Sequence, residues 1–564
     1  MSATLRPTPA NRRRRGERRR GWAWLSATAL VTVPLLPISA LTAEPALAEP
    51  VDSADTVEST DDAARLDDLR ADIDALLEDP SLEGAVSGVV VTDPDTGERL
   101  YSRDADTQLL PASNLKLFST VAALEVLGPD HTFGTEVAVE EGPDYGGSVT
   151  DLYLVGNGDP MLSEADLDAL AAEVAESGVT TVTGDLYADD TWFDDRRQVD
   201  DWDPTDEPYA YAAQISALTL AHGERFDTGV TEVEVTAGAE GEPVEVDLGL
   251  ADGYMELDNQ AVTGAADSTD TLSITRPLDT NTIAVTGSLP EGAEPMTRVR
   301  TVDEPAAFTA HVFERALERH GVEVEGDVDL GALPEGEGPV VLGDHESPAL
   351  EETLVPLLKF SNNMHTEMLV KGIGREVAGE GSWEAGLAGT REALTGLGVD
   401  MGDMRMHDGS GLSRGNLATA SSVVDLYTQV RDEPWFEAWH DSLPVAGDPD
   451  PFVGGTLSGR MGDTAAEGVV SAKTGTLSGV SALSGYVHGA DGDDLVFSVI
   501  NNGHAGSAPW GVQDAVATRL AEYAGHTGPV RPLARGEAEV GAEASSATSP
   551  AGSGDLECTW VEAC

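Results

Sequence analysis

Pro111-Ala112-Ser113-Asn114-Leu115-Lys116-Leu117-Phe118 is the stretch around which the chain is organised. It sets a serine and a lysine three residues apart at the start of a helical pattern. Positions i and i+3 share one helix face, so the Lys116 amine can reach the Ser113 hydroxyl. A serine is a weak nucleophile until a neighbouring base takes its proton. Ser-x-x-Lys is common by chance, and most examples are capped surface helices. The pair stands out here because the chain has only four lysines, Lys116, Lys359, Lys371 and Lys473, and every other basic side chain except histidine is arginine. One of the remaining three opens Lys473-Thr474-Gly475-Thr476.

Working outward, Val86 to Val91 is a β-branched run, Asp93 to Gly97 is a turn, and Arg99 to Ser102 begins a return strand, which predicts a hairpin. Leu66, Leu69, Ile73, Leu76 and Leu77 have helical spacing ahead of it. The Ser113 helix is expected to run to about Gly128, with Leu117, Val121, Leu124 and Leu127 on an apolar side. From about 135 the texture changes to short β-like runs and Gly-Asp turns. Ser163 to Ser177 and Ala306 to Gly321 read as helices, Val179 to Ala188 as a strand pair, and 228–290 as almost entirely β. Helical texture returns after about 346, over Leu350 to Met368, Trp383 to Leu397 and Ala420 to Val430. Three strand-like runs follow, Gly468 to Ala472, Ser481 to Val487 and Asp494 to Asn501, and then a closing helix from Gln513 to Ala524. An N-terminal hairpin, a C-terminal meander and flanking helices predict one α/β sandwich with an antiparallel sheet.

The expected organisation is a segment 1–48, an acidic leader 49–64, a catalytic body from 65–135 and 341–530, and inserted β-rich domains over 136–340. Within the insertion, about 220–290 is innermost, and 531–564 is a loose tail. Residues 1–48 have the layout of an export signal: basic clusters at Arg12 to Arg15 and Arg18 to Arg20, an apolar stretch from Trp22 to Ala40, and the small-x-small site Ala46-Leu47-Ala48. Cleavage there predicts a secreted or extracytoplasmic protein with no stable membrane anchor. No other segment reaches the roughly 18 apolar residues of a membrane span. The two cysteines, Cys558 and Cys564, lie in the tail, where a bridge could not staple the core. Metal ligands do not cluster, so neither a metal nor another cofactor is expected.

With 564 residues, 40% of them hydrophobic, the chain can build two or three domains. A formal net charge of -68 repels nucleic acid and anionic membrane, so neither is an expected partner. Acidity with few lysines fits a hydrated surface suited to salty surroundings better than a surface built for a basic ligand.

Ser113-x-x-Lys116, Ser361-Asn362-Asn363 and Lys473-Thr474-Gly475-Thr476 occur in the order of the active-site motifs of penicillin-recognising serine enzymes. His407-Asp408-Gly409-Ser410-Gly411-Leu412-Ser413-Arg414 and Gly158-Asp159-Pro160 narrow the likeness. The chain resembles the class C low-molecular-mass penicillin-binding proteins, the D-alanyl-D-alanine carboxypeptidases/endopeptidases, over about 65–564. The gap of 248 residues between Ser113 and Ser361 is typical of that class, in which inserted domains interrupt a transpeptidase-type catalytic domain of penicillin-binding-protein/β-lactamase-like fold.

The resemblance implies a serine-type carboxypeptidase that cleaves peptidoglycan stem peptides ending in D-Ala-D-Ala and is acylated by β-lactam antibiotics, with endopeptidase action as a second capacity. Ser113 would be the nucleophile. Lys116 would be the base, kept neutral by burial and by the nearby cation Lys473. Ser361 would relay a proton toward the leaving amine, and Asn363 would bind the substrate amide. Lys473 and Thr476 would hold the terminal carboxylate, with Thr474 beside them, and Gly475 would leave room along the strand edge. The backbone N–H groups of Ser113 and Thr476 would form an oxyanion hole, where loss of one donor typically costs roughly 3–4 kcal/mol. Less directly, Arg414 matches a pocket arginine, Leu477 stands where a relative has methionine, and Asp206 matches an acid facing the substrate's side-chain ammonium. A relative has tryptophan where this chain has Asp203. His365 and His407 read as structural, and Asp408 is balanced between an ion pair with Arg414 and substrate contact. The competing functions are a serine β-lactamase or β-lactamase-like esterase and a cell-wall-binding protein with a dead site. The long insertion disfavours the first, and the intact serine and lysine positions disfavour the second.

Overall fold

A computed structural model describes residues 54–334 and 338–528, with side chains from Asp62 onward. The segment 1–48, residues 49–53, the whole of the expected tail 531–564 and both cysteines lie outside the described residues.

Five antiparallel strands form the central sheet. Their order is Arg99–Arg103, Val86–Thr92, Leu495–Asn502, Val480–Val487, Val470–Leu477. The two ends of the sequence therefore meet in one sheet, with Val89 opposite Val499. Both faces are covered, which is why these strands read as near-continuous apolar runs. Val90, Val496 and Ile500 face one core, shared with Leu117, Val121, Val423 and Leu426. Val89, Val91, Phe497 and Val499 face the other, shared with Leu69, Ile73, Val516 and Leu520. Alternation along a strand sends successive side chains to opposite faces. Each fully buried aliphatic side chain contributes about 1.5–3 kcal/mol.

The first helix runs Ala54–Leu76 and so begins inside the segment expected to be a leader. Helix growth beyond an anchored turn needs only one hydrogen bond per residue, and alanine and glutamate favour it. Leu69 and Ile73 supply the anchor.

The Leu115–Leu127 helix differs from the amphipathic helix expected. All ten residues from Leu115 to Leu124 are buried, because the helix is covered on its other sides by the Asn363–Ala378 and Trp383–Gly396 helices. That position removes Lys116 from water completely.

The Leu350 to Met368 pattern also divides. One helix spans Leu350–Lys359 and a second begins at Asn363. Apolar spacing continues across the break, so periodicity alone could not reveal it. Ser361 lies in the break with φ +60°, a conformation that costs a non-glycine residue of order 1 kcal/mol. Asn362 then caps the second helix, its Oδ1 accepting from the His365 N–H at 3.1 Å.

The chain leaves the sheet after the Leu115–Leu127 helix and returns through adjacent strands. Gly134–Val139 pairs antiparallel with Val340–Glu346 at one edge of a second five-stranded sheet. The expected limits at 136 and 340 fall inside those two strands. The rest of that sheet is Val328–Leu330, Leu186–Asp189 and Leu152–Gly156, packed against the Glu164–Glu176 and Pro305–Arg319 helices. Ser163 and Asp166 form a capping box on the first of these helices. Thr181–Val182 and Leu186–Asp189, expected as a pair, belong to different sheets. Short strands over 230–301 form three smaller sheets. No helix among the described residues is long and apolar enough to cross a membrane.

Candidate active site

A short 3-10 turn over Ala112–Asn114 feeds directly into the buried helix. Ala112 has φ +47°, so the backbone is bent just before Ser113. Lys116, one turn on, donates from Nζ to Ser113 Oγ at 3.1 Å, to Asn363 Oδ1 at 2.5 Å and to the Ser410 carbonyl at 2.8 Å. Two carbonyl-type acceptors and the Ser113 hydroxyl thus surround the Lys116 amine.

The helix break brings Ser361 and Asn363 to the same spot. Ser361 Oγ accepts from Lys473 Nζ at 2.7 Å, and the Thr474 carbonyl accepts from the same ammonium at 2.9 Å. Asn363 Nδ2 donates to the Tyr211 carbonyl at 2.8 Å. Lys473 is fully buried on the edge strand of the central sheet. Asn114 donates to the Lys473 carbonyl at 3.0 Å, tying this strand to the Ser113 turn. A Cβ at Gly475 would lie 2.9 Å from the Pro111 carbonyl oxygen and 3.1 Å from the Ser113 nitrogen. Only glycine lets the strand approach the turn this closely.

Thr474 is fully buried on the same strand, two residues before Thr476, and its hydroxyl lies 2.8 Å from that of Thr456.

A cleft of about 570 Å³ opens over Ser113 and is lined by Ser361, Asn363, Thr476, Leu477, Arg414 and Asp206, among others. Arg414 donates to the Ser478 carbonyl at 2.9 Å. Asp206 is half-buried and accepts from the Tyr211 hydroxyl at 2.8 Å. Burial pushes its carboxyl up, and the Tyr211 bond pulls it back. Asp201 and Asp203 stand on the same rim. Asp203 accepts from Thr205 N–H and hydroxyl, which hold its carboxyl below the usual range.

Asp408 neither pairs with Arg414 nor faces the cleft. It is fully buried and accepts four N–H donors, from Gly411, Ser413, Asn416 and Trp202. His365 is also fully buried, with Nε2 2.7 Å from the Phe226 carbonyl. His407 lies on the surface beside Asp201.

Two participants escaped the sequence reading. Tyr211 acts through its backbone carbonyl, which leaves no mark on residue type. Glu367 is buried beneath the 408–413 loop, four residues after Asn363. An acid on an otherwise apolar helix face was the available signal.

The chain matches the D-Ala-D-Ala carboxypeptidase 3 (S13) family over residues 69–523. It is 63% identical over 560 residues to a D-alanyl-D-alanine carboxypeptidase of Actinomadura sp., covering 99% of each chain. It is 26% identical over 428 residues to the D-alanyl-D-alanine carboxypeptidase DacB of Haemophilus influenzae, covering 75% of this chain and 86% of that one. Among solved structures it is similar in fold to penicillin binding protein 4 (dacB) of Haemophilus influenzae. The TM-score is 0.69 at 24% identity, covering 80% of this chain and 98% of that one.

Proposed function

The chain belongs to the D-Ala-D-Ala carboxypeptidase 3 (S13) family and is a serine-type D-Ala-D-Ala carboxypeptidase, and on that premise we propose that Ser113, Lys116 and Ser361 carry its reaction. The observation that supports this most is the 3.1 Å contact between Ser113 Oγ and a lysine amine wholly removed from water. Neutral Lys116 takes the Ser113 proton as Oγ attacks the carbonyl carbon of the penultimate D-alanine of a stem peptide. The tetrahedral oxyanion sits between the N–H groups of Ser113 and Thr476. The C–N bond breaks as Ser361 passes its proton to the leaving nitrogen and takes in its place the proton held by Lys116, freeing D-alanine, a neutral Lys116 and an acyl-Ser113 ester. Water then attacks the ester, with Lys116 as base, and restores Ser113.

Binding follows from the same cleft. Asn363 takes the substrate amide, and Lys473 with Thr476 holds the terminal carboxylate. Leu477 and Arg414 border the acyl side chain, and Asp206 faces its ammonium. The strands and helices from 65–135 and 341–530 form the catalytic body, and the 136–340 insertion supplies Asp206 and the Tyr211 carbonyl. The protein acts outside the cytoplasmic membrane, where its peptidoglycan substrate lies, after export and removal of 1–48. Cross-linked peptides are cleaved by the same chemistry when the leaving amine belongs to a second stem.

Intact-mass measurement before and after benzylpenicillin, on wild type and S113A, tests the site. One adduct per wild-type chain and none on S113A is expected, with D-alanine released from a stem-peptide analogue by wild type alone. An adduct on S113A rules out Ser113 as nucleophile. Rapid repeated turnover of penicillin without D-alanine release would make the protein a β-lactamase instead.

A further inference from the structure

Two buried carboxylates that the reaction does not consume lie behind the base. Glu367 and Asp408 are both fully buried, and N–H groups converge on each. Glu367 accepts from Gly409 N–H at 3.0 and 3.2 Å, Ser410 N–H at 2.8 Å and Trp383 Nε1 at 2.8 Å. Asp408 accepts from Gly411 N–H at 2.9 Å, Ser413 N–H at 2.6 Å, Asn416 Nδ2 at 2.7 Å and Trp202 Nε1 at 3.0 Å. The N–H groups of four loop residues, Gly409, Ser410, Gly411 and Ser413, thus turn toward the two acids. The carbonyls turn the other way, to the nucleophile helix. Gly409 O accepts from Ser119 Oγ at 2.7 Å, and Ser410 O accepts from Lys116 Nζ at 2.8 Å.

The link to the base is a single peptide plane. The Ser410 carbonyl and the Gly411 N–H belong to one trans peptide and point in opposite directions. Asp408 holds the N–H side, so the carbonyl is directed at Lys116. Glu367 holds the preceding two N–H groups and fixes where that plane starts. The loop cannot retreat from the nucleophile without losing this set. A Cβ at Gly411, whose φ is +90°, would also strike the Ala112 carbonyl beside Ser113.

We propose that Glu367, together with Asp408, is a positioning residue for Lys116: the two carboxylates hold the 409–411 backbone so that the Ser410 carbonyl orients the amine toward Ser113. The proposal rests on Ser113 and Lys116 as nucleophile and base. Burial and then the Asp408 charge push the Glu367 carboxyl up to about 7, and the hydrogen bonds from Ser410, Gly409 and Trp383 pull it back, favouring the accepting carboxylate.

Glu367→Gln leaves one acceptor oxygen and turns an NH2 group toward an N–H donor. The test is pre-steady-state acylation by benzylpenicillin, separating the non-covalent dissociation constant from the acylation rate on the fraction of enzyme that labels. E367Q is expected to lower the acylation rate at least about tenfold, as misplaced reacting groups do, with the dissociation constant nearly unchanged. E367D keeps the charge, shortens the reach by one methylene and is expected to lose rate in the same way if E367Q does not fold. E367Q/W383F removes the donor facing the new amide and is expected to recover part of the rate. A wild-type acylation rate on the labelled fraction of E367Q or E367D, or a loss unrelieved by W383F, overturns the positioning role. An adduct on S113A would instead overturn the nucleophile assignment.

Discussion

The side chain of Asn363 is held from the far side by the insertion: its Nδ2 donates to the Tyr211 carbonyl at 2.8 Å, which turns its Oδ1 to Lys116 at 2.5 Å. An asparagine at this position has two ways to present its amide, and one backbone carbonyl 152 residues away selects between them. The interrupted architecture therefore reaches Lys116 through a single side chain. It also shapes the cleft wall through Asp206 and Tyr211.

Asn363→Asp removes that donor and places a carboxylate against Lys116. The negative charge stabilises the protonated amine, so the base becomes neutral only at higher pH. The acid limb of the acylation rate against pH is expected to move up by about one unit or more, with a loss of roughly 10²-fold near neutrality. An unmoved acid limb in rapid-mixing measurements would separate Asn363 from the base.

Gly475→Ala adds a Cβ between the strand and the nucleophile turn, 3.1 Å from the Ser113 nitrogen. The neighbours are backbone and cannot swing aside. Displacing that N–H from a developing oxyanion is expected to lower benzylpenicillin acylation by about 10²-fold. Unchanged acylation kinetics in a folded G475A enzyme would exclude Ser113 N–H as a donor in the transition state.

Ser361→Ala and Ser361→Gly both remove the hydroxyl that accepts from Lys473. Both are expected to lose most D-alanine release. They differ in stability, because glycine adopts φ +60° without strain while alanine does not. S361G is expected to be more stable than S361A by about 1 kcal/mol, seen as the higher melting temperature of the two. The opposite order would mean that the helix break does not hold Ser361 in a left-handed conformation in solution.

His365 supplies a pH dependence. Burial pushes its imidazole down to about 4, and the Phe226 carbonyl keeps the proton on Nε2. Above the unfolded value of about 6.5 neither state binds the extra proton, and the contribution is fully present. As pH falls from about 6.5 through 4 the unfolded chain takes a proton that the folded one refuses, and about 3 kcal/mol is lost. Urea unfolding at pH 6.5, 5 and 4 is expected to fall more steeply for wild type than for H365Q. Parallel slopes would place the imidazole in contact with water.

Legibility in the sequence followed how local each feature is. The Val86–Thr92 and Arg99–Arg103 hairpin, the three-strand meander and most helix positions show through side-chain periodicity, because alternation and helical spacing are written in residue types. The break at Ser361 does not show, because apolar spacing continues through Phe360 and Met364 while one backbone angle changes hand. The Leu115–Leu127 helix looked one-sided because small and polar residues such as Ala122, Ala123, Ser119 and Thr120 also pack when every side is covered. The hydroxyl contact between Thr474 and Thr456 does not show either, because the two residues are 18 apart and meet only through the fold.

By itself the sequence determined which serine and lysine stand close enough to touch: Ser113 and Lys116, one turn apart across a 3-10 turn and the start of a helix, have little choice of geometry. It also determined that the chain closes one sheet from its two ends around a long excursion. The tertiary structure alone decided how the amine is aimed. The acceptors that aim Lys116 are the Asn363 amide, turned by the Tyr211 carbonyl, and the Ser410 carbonyl, set against Asp408 and Glu367. Backbone N–H and C=O groups are nearly the same on every residue. Their direction in space depends on which distant segments fold against them.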